Sequence, residues 1–232
     1  VLDTASRFPD LNEIIVISGE DFPVKGNFKI VHPEGTDMKH LLSIFKEYTS
    51  DSEHIFYFYG DIPLLDYSIM ERMFKNHLQY FASYTFADGY PYGMTPEIMK
   101  KSVFDQLLNL ADKNLIKIGR QSIFELIQKD INSFDIETEI SSIDQRMLRI
   151  SLTADTLRNF NQLNRIISMG GKDEKSIVAV LEDKQEILRT EPSFVNVQIT
   201  GGCPQACFYC PYPEIGGDIL NRTDEMTLEQ WK

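Results

Sequence analysis

Short apolar segments alternate with amphipathic segments along the first two-thirds of the chain. Strands are predicted where apolar residues run together, at 13–18, 28–32, 54–59 and 81–87. Helices are predicted where apolar residues recur every three or four positions, at 36–49, 66–78, 102–112, 121–130 and 156–168. One or two further strands are predicted within 134–153. Such alternation predicts an α/β fold with a mostly parallel sheet and helices on both faces.

Glycines and a polar stretch divide the chain into two predicted domains. Gly170-Gly171 is typical of the end of a helix, so the first domain is predicted to span 1–168. The segment 169–192, which contains a polar helix, is predicted to be a linker. The second domain, 193–232, is predicted to begin with a strand that runs into a glycine- and cysteine-containing loop.

Charge and composition narrow the classes of protein to consider. The chain has 232 residues with 23 Lys and Arg against 35 Asp and Glu, a formal net charge of −12. An acidic surface repels nucleic acids and anionic membranes, so neither is expected as a partner. The apolar runs are far shorter than the ~20 residues of a spanning helix, and no secretion signal opens the sequence, so a cytoplasmic location is expected. Because the sequence does not begin with Met, we expect a fragment.

The three cysteines of the chain, Cys203, Cys207 and Cys210, lie within eight residues. An odd number at such close spacing is a poor disulfide framework, whereas thiolates at this spacing suit an iron–sulfur cluster or zinc. Three thiolates leave one iron of a [4Fe–4S] cluster open, while structural zinc usually takes four ligands. Zinc completed by an unseen ligand and three unrelated core thiols are the alternative interpretations.

The spacing C-x3-C-x2-C, with Tyr209 before the last cysteine and a predicted strand before the first, resembles the signature of radical S-adenosylmethionine enzymes. The resemblance implies that Cys203, Cys207 and Cys210 hold a [4Fe–4S] cluster whose open iron binds S-adenosylmethionine. It places Tyr209 at this cofactor. It further implies reductive cleavage to a 5′-deoxyadenosyl radical, with an electron donor such as flavodoxin or ferredoxin. Since 193–232 covers only the start of a partial β/α barrel, we expect this chain alone to be inactive.

Three segments of the first domain occur in the same order in sugar cytidylyltransferases of the spore-coat polysaccharide and CMP-Kdo synthetase group. They are GDIPLLD at 60–66, GYPYGMTPE at 89–97 and LRISLTADTLRNFNQLNRI at 148–166. The resemblance implies a Rossmann-like nucleotidyltransferase domain that binds a nucleotide and Mg²⁺ and joins CTP to a sugar with release of pyrophosphate.

Carried over to this sequence, the resemblance makes Asp61 and Asp155 the pair that holds Mg²⁺. It places Gly93 and Glu97 in the loop on the sugar side of the site. From spacing alone, Asp61 would instead cap the helix after a strand-to-helix turn. The opening strand and glycine-rich phosphate loop of the family are missing, so either they precede Val1 or the domain binds without catalysing.

Together the two resemblances give one main hypothesis and two alternatives. The main hypothesis is a radical S-adenosylmethionine enzyme, similar to spirochaete proteins of the SPASM type, that modifies a peptide or protein. The first alternative is a Mg²⁺-dependent nucleotidyltransferase that makes a CMP-sugar with Asp61 and Asp155. The second is a zinc-binding module without enzymatic activity on an α/β scaffold.

Overall fold

The structure is a computed structural model of the whole chain. It describes residues 1–190 except 10, 22, 24, 25, 27 and 50, together with 192, 194–197, 208–209 and 226–230. The chain divides into two compact units, Val1–Thr190 and Glu191–Lys232. The helices and strands found among the described residues all lie in the first unit.

The elements of the first unit follow the predicted alternation. The helices are α1 (Leu2–Ala5), α2 (Met38–Tyr48), α3 (Tyr67–Gln79), α4 (Phe104–Lys113), α5 (Ser122–Ile127), α6 (Leu157–Ser168) and α7 (Glu174–Asp183). The strands are β1 (Ile15–Ile17), β2 (Lys29–Val31), β3 (His54–Tyr57), β4 (Tyr84–Asp88), β5 (Glu97–Lys100) and β6 (Ile136–Ile140). The predicted α/β class is confirmed.

The central sheet has four strands in the order β3-β5-β4-β6, and β1 and β2 form a separate parallel pair. β4 and β6 are parallel, whereas β5 is antiparallel to both β3 and β4. Three of the four strands therefore run in one direction, and β5 runs against them. Glu97 opens β5 instead of lying in a loop, which corrects the sequence analysis. The segment was missed because only Ile98 and Met99 are apolar, and its pairing partners are distant in sequence.

Helices cover both faces of the sheet, as predicted. α2, α4 and α5 pack on the face that carries Ile55 and Met99. α3, α6 and α7 pack on the opposite face, which carries Phe56 and Ile98. Neighbouring residues of one strand reach opposite faces because side chains alternate along a strand.

The helix that the sequence analysis assigned to a linker, α7, belongs to the packed core of the first unit. Ile177 and Leu181 are buried against α6 and the sheet, because residues four apart share one face of a helix. Asp66 fixes this position. Its Oδ1 accepts from the N–H groups of Ser68 and Ile69 at the start of α3, at 2.8 and 3.2 Å, and its Oδ2 accepts from Glu174 N–H at 3.0 Å.

The described residues of the second unit are few. Residues 194–197 carry no strand assignment, and 228–230 form a turn in which Gln230 N–H donates to Thr227 O at 3.0 Å. The remainder of the strand predicted over 193–200, and Cys203, Cys207 and Cys210, lie outside the described residues. No helix within the described ranges has the length and apolar character needed to cross a membrane.

Candidate functional site

The chain leaves β3 at Tyr57 and reaches Asp61 at the carboxyl end of the sheet, where open α/β sheets bind their ligands. Asp61 is not a helix cap, because Asp66 has that role for α3. The carbonyl of Asp61 accepts a hydrogen bond from Ala154 N–H at 2.8 Å. This bond joins the loop after β3 to the loop before α6, so Asp155 lies beside Asp61.

The third segment singled out by the resemblance reaches the same place. Leu152 N–H donates to Tyr92 O at 2.7 Å, and Tyr92 forms a parallel bridge with Ser151. Gly93 has φ +97°, and a Cβ at this position would collide with the carbonyl oxygen of Leu152. Only glycine allows this close approach of two backbones. Asp61, Gly93 and Asp155 therefore meet at one end of the sheet.

Arg120 connects the two aspartates. Its Nη2 contacts Oδ2 of Asp61 and lies 3.4 Å from Oδ2 of Asp155. The guanidinium carbon lies 5.0 Å from the centre of the Tyr59 ring, a distance at which the ring attracts a cation. Sequence reasoning missed Arg120, because Ile118-Gly119-Arg120-Gln121 matches no spacing motif and the contact spans 59 residues.

Asp155 is held as a carboxylate by its neighbours. The Thr153 hydroxyl donates to its Oδ1 at 2.7 Å, and the Asn159 amide donates to the same atom at 2.9 Å. These hydrogen bonds, led by that from Thr153, and the charge of Arg120 lower the pKa of Asp155 to about 2. Thr156, rather than Asp155, caps α6, since its hydroxyl accepts from Asn159 N–H at 3.1 Å. The Asp155 carboxylate therefore takes no part in capping α6 and lies beside Arg120 in the site.

Asp61 has an unusual feature in its second carboxylate oxygen. Its Oδ1 is buried and has no hydrogen-bond partner among the described residues, although the whole side chain is 30% exposed. A buried polar atom without a partner is costly, so it calls for an explanation, of which a role in binding or catalysis is one.

A half-buried carboxyl group, that of Glu97, lies on the face of the sheet that carries Tyr57. Glu97 is paired in register with Tyr57, and the Tyr84 hydroxyl donates to its Oε2 at 2.9 Å. Burial raises the pKa of Glu97 to about 7, while the bond from Tyr84 acts in the opposite direction. Glu97 thus lies on a strand of the central sheet and not in a loop.

As arranged, the site does not fit the Mg²⁺ ion that the resemblance implied. A single guanidinium nitrogen occupies the position between Asp61 and Asp155, and a divalent ion there would be repelled by the charge of Arg120. Mg²⁺ also demands a near-octahedral set of oxygen ligands. Among the described residues, no group of three or more His, Cys, Asp or Glu side chains is arranged to hold a metal.

Of the residues predicted for the second unit, only Tyr209 can be placed. Its side chain is 74% exposed and contacts Phe208 edge to face, with 5.1 Å between ring centres. The cluster ligands Cys203, Cys207 and Cys210 are outside the described ranges. The predicted roles of these four residues stay predictions.

Comparison with solved structures identifies a similar fold. The structure of a cytidylyltransferase from Leptospira borgpetersenii serovar Hardjo-bovis (strain JB197) aligns with a TM-score of 0.58 and 18% sequence identity, over 73% of this chain and 72% of that chain. The fold of this chain is similar to that of the Leptospira protein. At this identity the similarity concerns the fold alone, and it confirms the Rossmann-like nucleotidyltransferase fold predicted for the first domain.

Sequence comparison adds two relatives without known roles. Both are uncharacterized proteins of Treponema pallidum (strain Nichols). One is 30% identical over 89 residues, which is 38% of this chain and 24% of the relative. The other is 25% identical over 95 residues, which is 40% of this chain and 43% of the relative. The chain thus covers less than half the length of either relative, and no family model matches it.

Proposed function

We propose that the first unit, Val1–Thr190, is a nucleotide-binding domain that takes a cytidine nucleotide or CMP-sugar at the carboxyl end of its sheet. The observation that carries the proposal is the meeting of Asp61, Gly93 and Asp155, which come from three segments distant in sequence, at this end of a cytidylyltransferase fold. The cytidylyltransferase of known structure supports the choice of cytidine over other bases.

The side chains at the site suit a sugar phosphate. Carboxylates accept hydrogen bonds from sugar hydroxyl groups, and Asp155 stays ionised because its pKa is about 2. Arg120 offsets one of the two carboxylate charges, which lowers the repulsion that a phosphate group of the ligand would meet at this site. The Oδ1 of Asp61, which has no partner among the described residues, is the carboxylate oxygen that would accept a hydrogen bond from a ligand hydroxyl.

Calorimetric titration of the full chain with CTP, CMP and ATP tests this function. We expect saturable binding of the cytidine nucleotides and weaker binding of ATP. Asp155→Asn removes a charged acceptor and is expected to weaken CMP binding about tenfold or more. Absence of cytidine nucleotide binding by the folded chain would contradict the proposal, as would unchanged affinity in Asp155→Asn.

A matched control is available on the same domain. Asp105 forms a surface ion pair with Lys46 in the last turn of α2, whereas the loop of Arg120 bridges to Asp37 at the first turn of that helix. Asp105→Asn therefore changes an ion pair at the opposite end of α2 from the loop that carries Arg120. We expect it to bind CMP as the wild type does. Release of pyrophosphate from CTP and a sugar acid would extend the function from binding to transfer.

A second proposal concerns 193–232 and rests on the sequence alone. The spacing of Cys203, Cys207 and Cys210 supports a [4Fe–4S] cluster that binds S-adenosylmethionine, and a radical enzyme that acts on a peptide or protein. When bound, these cofactors supply the hydrogen-abstraction chemistry, while the protein orients them.

Anaerobic iron and sulfide analysis combined with electron paramagnetic resonance tests the second proposal. We expect about four irons and four sulfides per chain, a reduced signal that changes when S-adenosylmethionine is added, and loss of iron in Cys207→Ala. Tyr209→Phe leaves the thiolates in place and should retain the iron. Zinc in place of iron, or full iron content in Cys207→Ala, would contradict a cluster at these cysteines.

A further inference from the structure

The guanidinium group of Arg120 lies between the carboxylates of Asp61 and Asp155. Its Nη2 contacts both carboxylates, and its side chain is only 26% exposed. Shielding from solvent makes such an ion pair less sensitive to salt than a pair at the surface. The guanidinium keeps its proton under all conditions in which proteins fold, so the charge at this position is permanent.

The fold, and not the carboxylates alone, holds Arg120 in this place. Gly119 N–H donates to Ser122 Oγ at 3.2 Å, and this hydroxyl donates to Gly119 O at 2.7 Å. Lys117 forms an antiparallel bridge with Asp37 at the N-terminus of α2. The ring of Tyr59 lies under the guanidinium. The turn that carries Arg120 is therefore held by Lys117 before it and by Ser122 after it, and this places the guanidinium beside the two aspartates.

We infer that Arg120 is a resident cation that takes the place of a divalent ion between Asp61 and Asp155 and excludes it. Two carboxylates without a cation would repel each other, and Arg120 neutralises one of the two charges. A divalent ion at this site would lie within a few ångströms of the guanidinium and would be repelled by its charge. The position between the two carboxylates would also be occupied already by the guanidinium. The domain thus holds its ligand-binding carboxylates in place without a metal.

This inference deepens the proposed function and rests on its choice of Asp61 and Asp155 as the ligand-binding pair. Binding of Mn²⁺ to the full chain without nucleotide tests it, measured by the loss of the signal of free Mn²⁺ in electron paramagnetic resonance. Because no nucleotide is present, the result is independent of the nucleotide titration. Mn²⁺ prefers oxygen ligands, and any uptake by the cysteines is common to all variants compared.

Four proteins give the decisive comparison. We expect Asp61→Asn to leave the Mn²⁺ binding of the wild type unchanged, because Arg120 already excludes the ion. Arg120→Met, which removes the charge, should bind Mn²⁺ at least about tenfold more tightly than the wild type. The double variant Arg120→Met with Asp61→Asn should lose that gain, which assigns the new site to these carboxylates.

A surface pair provides the control for loss of a positive charge. Lys46→Met frees the exposed carboxylate of Asp105 in the same way and should not gain Mn²⁺ affinity. The inference is overturned if Asp61→Asn lowers Mn²⁺ binding in the presence of Arg120. A folded Arg120→Met protein with wild-type affinity overturns it too. Should Arg120→Met not fold, the comparison of wild type with Asp61→Asn decides alone.

Discussion

Two histidines, His54 and His77, form a hydrogen-bonded pair between α3 and the sheet. Nδ1 of His54 lies 3.0 Å from Nε2 of His77, and Nδ1 of His77 lies 2.7 Å from Oγ1 of Thr85. His77 has no exposed surface. Burial lowers the pKa of His77 to about 4, and the charges of His54 and Lys100 act in the same direction. Burial also lowers the pKa of His54. Both rings are therefore neutral at pH 7.

At the residue scale, this pair makes the fold sensitive to acid. Between the ordinary histidine pKa of 6.5 and the pKa of His77 near 4, the unfolded chain binds a proton that the folded chain does not. The contribution to stability is complete above pH 6.5 and is lost as the pH falls toward 4. The free energy of unfolding falls when the pH is lowered from 7 to 4. We expect this fall to be about 3 kcal/mol smaller in His77→Asn than in the wild type, as measured by urea denaturation at the two pH values.

The control for this prediction is a residue that carries no titratable group. Ser43 is exposed on α2, so Ser43→Ala should keep the pH dependence of the wild type. Because carboxyl groups titrate in the same range in every variant, only the difference between variants is compared. An unchanged pH dependence in His77→Asn would show that the buried pair does not couple folding to protonation.

The sequence identified some site residues and missed others for a physical reason. Asp61 and Asp155 lie in segments with a recognisable order of residues, and the structure brings these two side chains together. Arg120 has no such local signal, since its role arises from contacts that only the folded chain makes. The resemblance placed Glu97 in a loop, and the sequence pattern did not correct this because a strand with two apolar residues is too short to give a clear alternation.

At the scale of elements, Asp66 connects the starts of two helices. One carboxylate oxygen serves the first turn of α3, and the other serves Glu174 in α7, 108 residues further along. Helix N-termini need such acceptors because their first N–H groups have no partner within the helix. The sequence analysis described α7 as a polar linker helix although residues 177–181 are apolar, and its position could not be predicted because the residue that fixes it lies in a distant loop.

Replacing this shared cap should destabilise both helices together. We expect Asp66→Ala to lower the free energy of unfolding by about 2–4 kcal/mol, because it removes the acceptor of the Ser68 and Ile69 N–H groups in α3 and of the Glu174 N–H group in α7. Asp37→Ala removes the cap of α2 alone and should cost about 1 kcal/mol. Chemical denaturation followed by circular dichroism measures both. Equal effects of the two substitutions would contradict the double role of Asp66.

At the scale of the whole molecule, the described helices and strands are confined to Val1–Thr190. The hydrophobic clusters on both faces of the central sheet are built from this unit. The sequence analysis ended the first domain at 168, before α7, whereas α7 contributes two buried side chains to this unit, Ile177 and Leu181. A boundary near 190 therefore describes the packing better than one near 168.

We expect a chain that ends at Thr190 to fold and to unfold cooperatively at the same temperature as the full chain. A chain that ends at Ser168 should be less stable, because it exposes Leu163 and Ile166 of α6, which pack near α7. Thermal unfolding followed by circular dichroism compares the three lengths. A broad transition without cooperativity in the chain that ends at Thr190 would contradict the assignment of a self-sufficient unit.

The close approach at Gly93 has a consequence for how the sequence can change over evolution. A side chain at position 93 would strike the backbone of Leu152, and the φ of +97° is itself unfavourable for other residues. The neighbouring segments 92–94 and 151–153 therefore restrict each other. In relatives that keep this fold, we expect position 93 to differ from glycine only where the segment before Asp155 has changed in length or path.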